Sequence, residues 1–162
     1  MPSNGKARYS IDSSSVIHAW RRAYPPKNFE SFWGKIEDLI DSGEIVASVE
    51  VLNEMKKKDD EIYKWCLNRP ASFSVEIDDE IQLHLNHIMG TYPRLVDTVK
   101  GRSGGDPFVI ALARSNKPSS LTVISEENMG KKNSPKIPDV CRSENIDCIN
   151  LVKLVQNEDW KF

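Results

Sequence analysis

Acidic residues lie at several places where a predicted strand ends or a predicted helix begins. Asp12 ends the first predicted strand, and Glu126 and Glu127 closely follow a later apolar strand. Asp106 begins a helix after a glycine-containing loop, and Glu54 lies in the helix that follows the second strand. Binding sites of open parallel sheets form beyond the carboxyl ends of the strands. These acids can therefore converge although they are far apart in sequence.

Converging carboxylates suggest a specific chemistry. Carboxylates that share a small space repel one another, and burial makes their charged forms still more costly. A hard divalent cation relieves that repulsion, and ligation by oxygen alone favours magnesium or manganese over zinc. Such an ion can polarise a phosphoryl oxygen, generate a hydroxide and stabilise the leaving oxygen. The acids therefore predict a metal site suited to phosphodiester hydrolysis.

Taken singly, each acid also has a structural interpretation. Asp12 could cap the helix that follows it, and Asp106 favours its own helix start through its charge. Glu50, Glu126 and the acids at residues 78–80 are interpreted more simply as solvated. The chain contains 24 acidic residues, so some of them lie near strand ends by chance. Spacing alone supports the metal site only as a hypothesis.

Strands and helices that would position these acids are predicted to alternate along the chain. The strand patterns cover residues 8–11, 45–47, 73–75, 121–124 and 147–149. Strands that helices separate indicate an α/β fold with a mainly parallel sheet. The length of 162 residues suits one domain over residues 1–162.

Apolar periodicity predicts the course of several helices. One runs from about Phe29 to Ile40, with Phe29 on its buried face, and another begins at the cap Ser48 and continues to about Asn68. Met89 is expected on the apolar stripe of a later helix. These helices would cover the sheet.

Composition limits the class of protein. The chain is 39% hydrophobic and 28% charged, as in ordinary soluble globular proteins. No apolar run approaches the roughly 20 residues that span a bilayer, so we expect no membrane partner and a cytoplasmic location. The net charge of -2 argues against duplex binding by charge alone. Three cysteines without CxxC spacing predict buried, reduced thiols.

Four stretches, taken in order along the chain, resemble the motifs of PIN domains. They are residues 9–17 (YSIDSSSVI), 48–55 (SVEVLNEM), 105–113 (GDPFVIALA) and 123–127 (VISEE). Residues 103–107 (SGGDP), the region from Trp20 to Trp33 and residues 136–141 (KIPDVC) are closer to a PIN-like family of bacterial proteins known as DUF4411. No single motif is strongly specific, whereas four in the right order are considerably more so.

The resemblance implies a three-layer α/β/α fold and a magnesium- or manganese-dependent ribonuclease, often the toxin of a toxin–antitoxin pair and often a homodimer. It assigns Asp12, Glu54 and Asp106 as catalytic, metal-holding acids. Glu127 would be the fourth acid, with Glu126 as a competitor because the register is open there. The family usually has aspartate or asparagine at this position, so a glutamate departs from its pattern.

Further residues receive roles if the chain is such a nuclease. Ser13 and Ser125 would orient metal ligands or water. Lys131 and Lys132, beside the fourth acid, would bind RNA phosphate. The basic runs at residues 21–22 and 56–58 are weaker candidates for the same contact, because such runs are usually solvated faces.

Several other interpretations are weighed against these. His18, His84 and His87 are interpreted as ordinary histidines, and most of the four tryptophans as core residues. An aspartyl-nucleophile phosphatase needs a second aspartate where Ser14 stands. The predicted polar turn Ser13–Ser15 lacks the glycines of a dinucleotide site. The remaining alternative to a nuclease is a PIN-like binding or regulatory module with weak or no activity.

Overall fold

The computed structural model describes residues 6–95, 106–130 and 135–162. The glycine loop before Asp106, and Lys131 and Lys132, lie outside the described residues. None of the helices in the described ranges combines the length and the apolar character that crossing a membrane requires.

A parallel sheet forms the centre of the protein, as the alternating pattern predicts. Its strands are β1 (Tyr9–Ile11), β2 (Ile45–Ser48), β3 (Ser74–Val75), β4 (Thr122–Ile124) and β5 (Cys148–Ile149), in the order β3-β2-β1-β4-β5. All four pairings are parallel. The chain builds β2 and β3 on one side of β1, and β4 and β5 on the other side. The strand order therefore reverses between β1 and β4, where such sheets bind ligands.

Helices complete a three-layer α/β/α arrangement. They are α1 (Ser13–His18), α2 (Glu30–Asp41), α3 (Val49–Lys58), α4 (Asp60–Leu67), α5 (Asp79–Thr91), α6 (Asp106–Ser115), α7 (Ile137–Ser143) and α8 (Leu151–Asn157). A π-helical turn at Ala19–Ala23 extends α1, and short 3-10 turns lie at Ala71–Phe73 and Pro93–Leu95.

The central strands are apolar on both faces because helices cover both sides of the sheet. Ile45, Val46 and Ala47 of β2 are fully or almost fully buried, and Val123 and Ile124 of β4 are fully buried. Continuous apolar strands of this kind are typical of parallel sheets. The predicted α/β fold is therefore confirmed.

The prediction of one helix from Ser48 to about Asn68 is wrong. Ser48 does cap α3, since its hydroxyl accepts from the Glu50 amide at 3.3 Å, but Asp59 is extended (φ -160°, ψ 108°) and separates α3 from α4. The Asp59 carboxylate accepts from the Ile62 amide at 3.1 Å and begins a new helix. Capping by a short acidic side chain explains the break.

Smaller corrections concern the surface. Phe29 precedes α2 instead of lying on its buried face and is 42% exposed, and Met89 is 46% exposed. Residues 13–15 are not a turn, because α1 begins at Ser13. The cysteines are free thiols, but Cys148 is only partly buried.

Candidate metal centre

Three carboxylates converge beyond the carboxyl end of β1. One oxygen from each of Asp12, Glu54 and Asp106 lies within 4.8 Å of the other two. The three residues are 1%, 8% and 2% exposed, respectively. They come from the end of β1, the interior of α3 and the first residue of α6. The sequence expectation that these acids face one site agrees with this geometry.

Asp12 continues the sheet before the chain turns into α1. Its amide donates to the carbonyl of Ile124 at 2.9 Å, which fixes the residue beside the end of β4. Its side chain occupies the cap position of α1 but makes no capping hydrogen bond. The Oδ2 atom instead accepts from the hydroxyls of Ser14 at 2.6 Å and Ser125 at 3.2 Å. The capping interpretation of this side chain is therefore wrong.

Burial controls the protonation of Asp12. Removal from solvent raises the pKa of Asp12 to about 7 from an ordinary 3.8, and the charges of Glu127 and Glu54 add to the rise. The hydrogen bonds from Ser14 and Ser125 favour the charged form and therefore oppose this rise in pKa. A cation at the site would lower the pKa of Asp12, because it stabilises the carboxylate that burial destabilises.

Glu54 is held from two sides. Its Oε2 atom accepts from the Ser13 hydroxyl at 3.3 Å and lies 3.5 Å from Nζ of Lys58, one turn along α3. Ser13 therefore contacts one of the three converging acids, and its role in orienting a metal ligand stays a prediction.

Two buried oxygens test whether the site fits a metal ion. Oδ1 of Asp12 and Oε1 of Glu54 are buried and accept no hydrogen bond from any described residue. A buried carboxylate oxygen without a donor is costly. A hard cation ligated by oxygen satisfies such atoms directly, so the donor set fits magnesium or manganese.

Glu126 and Glu127 both lie at the same cleft, but they are anchored differently. Glu126 Oε2 accepts from the Leu151 amide at 2.7 Å, and its Oε1 lies 3.8 Å from Nε2 of His18. Glu127 Oε1 accepts from the Ile137 amide at a longer 3.3 Å. Ser125 orders this segment, since its hydroxyl accepts from the Glu127 amide at 3.1 Å while donating to Asp12.

A cleft of about 520 Å³ lies here, and the acids that line it are Glu54, Asp106, Glu126 and Glu127. Described basic residues line it as well, namely His18, Arg21, Arg22 and Lys58. The sequence favoured Lys131 and Lys132 for contacts with phosphate, and both lie outside the described residues. The weaker candidates at residues 21, 22 and 58 are the ones that line the cleft in the described part of the chain.

Sequence reasoning missed the contact of Ser14 with Asp12, while His18, interpreted as an ordinary histidine, lines the cleft. Ser14 makes the shortest hydrogen bond to Asp12 and also accepts from the Glu126 amide at 3.1 Å. The run of three serines after Asp12 was the available signal. His84 and His87 contact Glu80 and Glu144 respectively, and neither lines this cleft.

Comparison with solved structures supports the fold. The structure of VapBC2 from Rickettsia felis bound to a DNA fragment from their promoter is similar to this chain, with a TM-score of 0.54 and 14% sequence identity. The match covers 88% of this chain and 97% of that chain. No curated protein matches the sequence.

The parallel sheet between two helical layers, together with this likeness, supports the PIN-like three-layer α/β/α fold that the resemblance implied. The sequence profile of DUF4411, described as a domain of unknown function, matches residues 9–162. The chain therefore belongs to the DUF4411 family.

Proposed function

We propose that this protein is a magnesium- or manganese-dependent endoribonuclease. The observation that carries the proposal is the convergence of Asp12, Glu54 and Asp106 within 4.8 Å, with buried oxygens that a cation would satisfy. Those three residues would hold the metal, and Glu127 is the fourth acid of the site. RNA as the substrate rests on the resemblance to PIN domains.

The protein's own residues would prepare the reaction in three ways. Ser14 and Ser125 fix one oxygen of Asp12 and so direct the other, Oδ1, toward the metal site. Ser13 does the same for Glu54. When bound, the metal would polarise the scissile phosphate and lower the pKa of the attacking water.

We also propose a toxin role, with an antitoxin protein and a second copy of the chain as partners in the cytoplasm. The likeness to VapBC2, together with membership of a PIN-like family, supports this part of the proposal. Induced expression of the wild-type chain should stop growth of the host cells, whereas Asp12→Asn should not. Equal growth of cells that express the two proteins at the same level would contradict the toxin role.

The direct test of the nuclease is cleavage of labelled single-stranded RNA of mixed sequence with added Mn²⁺. We expect Asp12→Asn and Glu54→Gln to lose at least about 100-fold in rate, because even residues that only orient metal ligands contribute 10–100-fold. Glu50→Gln is the matched control, since Glu50 lies on α3, does not line the cleft and bonds to Asn53. A single-stranded DNA of the same sequence tests the choice of RNA.

The outcomes of this test separate the two classes of function. Equal cleavage by wild type and Asp12→Asn would contradict the proposed site. Absence of cleavage by the wild type, with RNA binding retained, would favour the alternative of a PIN-like binding or regulatory module.

A further inference from the structure

The basic residues that line the cleft differ in whether they already have hydrogen-bond or ion-pair partners. Arg21 is fixed to the junction of α3 and α4, because its Nη2 atom lies 2.9 Å from Oδ2 of Asp59 and donates to the Lys58 carbonyl at 3.3 Å. Lys58 lies 3.5 Å from Oε2 of Glu54. Both cations therefore have partners that a ligand would have to compete with.

Arg22 lines the same cleft and is exposed, yet it makes no hydrogen bond or ion pair with any described residue. This is unexpected beside so many carboxylates. The local partners of Glu126 and Glu127 explain it in part, since backbone amides of α8 and α7 hold those two side chains. The guanidinium of Arg22 thus keeps its hydrogen-bond donors available at the wall of an acidic cleft.

The position of Arg22 on the π-helical turn Ala19–Ala23 is also informative. The π-helix occurs mostly as a single turn inside an α-helix, and such turns are frequent at functional sites. Here the turn continues α1, whose first residues contact Asp12 and Glu54. Arg22 is therefore carried by the same short helical unit that orders the acids, which fixes its backbone relative to them.

A polyanion that enters this cleft meets carboxylates and is repelled by them, so binding needs positive charge besides the metal. A guanidinium suits the purpose because its planar set of donors matches two oxygens of one phosphate.

We propose that Arg22 forms a phosphate-binding subsite of the cleft, which holds an RNA backbone phosphate next to the one that is cut. This inference rests on the proposed nuclease function and names a residue that would bind its substrate. Arg22 contacts a phosphate and no base, so it contributes affinity without sequence preference. Arg21, by contrast, serves mainly to hold Asp59 at the start of α4.

The test compares Arg22→Gln with Arg142→Gln, which removes the same charge from an exposed residue that does not line the cleft. Binding of a fluorescent single-stranded RNA is measured over a series of KCl concentrations. Ca²⁺ replaces Mn²⁺, and a gel verifies that the RNA stays intact. Circular dichroism verifies that both variants are folded.

We expect Arg22→Gln to bind about 10-fold more weakly, as the loss of one charge-assisted hydrogen bond implies. The plot of log K against log salt should also become less steep by about 0.7, the value for one phosphate contact on a single strand. Arg22→Lys should retain the slope and bind with intermediate affinity. In cleavage assays with Mn²⁺, Arg22→Gln should raise KM and change kcat little.

Equal affinity and equal slope for Arg22→Gln and Arg142→Gln would overturn the subsite. The failure of the nuclease proposal looks different. In that case wild type would not cleave RNA, or Asp12→Asn would cleave it equally well, whereas the difference between the two arginine variants in binding would still decide the role of Arg22.

Discussion

The hydroxyl of Ser125 donates a hydrogen bond to Oδ2 of Asp12 at 3.2 Å and so joins the residues that follow two adjacent parallel strands. Ser14 donates to the same oxygen at 2.6 Å. The same carboxylate oxygen therefore accepts both hydrogen bonds. The other oxygen, Oδ1, remains buried without a donor among the described residues. The serines orient Asp12 with one oxygen available to a cation.

Removal of the Ser125 hydroxyl should therefore weaken metal binding. We expect Ser125→Ala to lower the affinity for Mn²⁺ by about 10-fold or more, within the 10–100-fold typical of residues that orient metal ligands. Isothermal titration calorimetry measures the affinity, and Ser120→Ala, at an exposed site outside the cleft, is the control. Unchanged affinity in Ser125→Ala would contradict the orienting role.

Metal binding should stabilise the folded protein, and Glu54 should be necessary for it. At a free Mn²⁺ concentration 100 times Kd, binding to the native state alone adds about 2.7 kcal/mol to the free energy of unfolding. Glu54→Gln should lose most of this gain, whereas Glu50→Gln, one turn earlier on α3, should keep it. Urea denaturation with and without Mn²⁺ measures the gain. If Mn²⁺ stabilised Glu54→Gln as much as wild type, Glu54 would not be a metal ligand.

The convergence of the acids could be predicted because strand topology determines it. Asp12 follows a strand and Asp106 begins a helix, and parallel strands end at one edge of the sheet. Position after the second strand made Glu54 a candidate but could not separate it from Glu50, and the resemblance to PIN motifs selected Glu54. The distances between the three carboxylates and the extent of their burial required the structure.

Two features escaped sequence reasoning for physical reasons. The hydroxyl of Ser14 contacts Asp12 because α1 begins at Ser13, and helix boundaries are the least certain part of a sequence prediction. The break at Asp59 was hidden because apolar residues continue at helical spacing on both sides of it. The interaction of Asp59 with Arg21, distant in sequence, helps to fix that break.

The stability of the metal-free protein should depend on pH through Asp12. Burial is the main reason that the native pKa is about 7 while the ordinary value is 3.8. Between these values the native state binds a proton that the unfolded state has released, so stability falls as pH rises from about 4 to 7. Above pH 7 the full penalty is present.

Asp12→Asn should remove this penalty, since the amide is neutral at every pH. In EDTA, the variant should exceed wild type in stability more at pH 8 than at pH 4, by up to about 4 kcal/mol from the shift in pKa. Urea denaturation of both proteins at the two pH values gives the difference. A difference between the proteins that does not change with pH would show that Asp12 ionises normally.

The remaining choice at the fourth position, Glu127 or Glu126, can be decided by their different anchoring. Burial dominates the raised pKa of Asp12, and Glu127 is the neighbouring acid whose charge adds most to it. Glu126 is instead held by the Leu151 amide at the start of α8 at 2.7 Å, and it lies near His18. We therefore expect Glu127 to act on the proposed metal site and Glu126 to support the start of α8.

We expect Glu127→Gln to weaken Mn²⁺ binding by about 10-fold, because it removes a negative charge beside the metal site. Glu126→Gln should leave the affinity within about 2-fold, since its amide oxygen can still accept from the Leu151 amide. Glu126→Ala should lower the melting temperature, because the Leu151 amide loses its acceptor. Calorimetry with Mn²⁺ and thermal unfolding in EDTA measure the two effects separately. The opposite pattern, with Mn²⁺ affinity lost in Glu126→Gln and kept in Glu127→Gln, would assign the fourth position to Glu126.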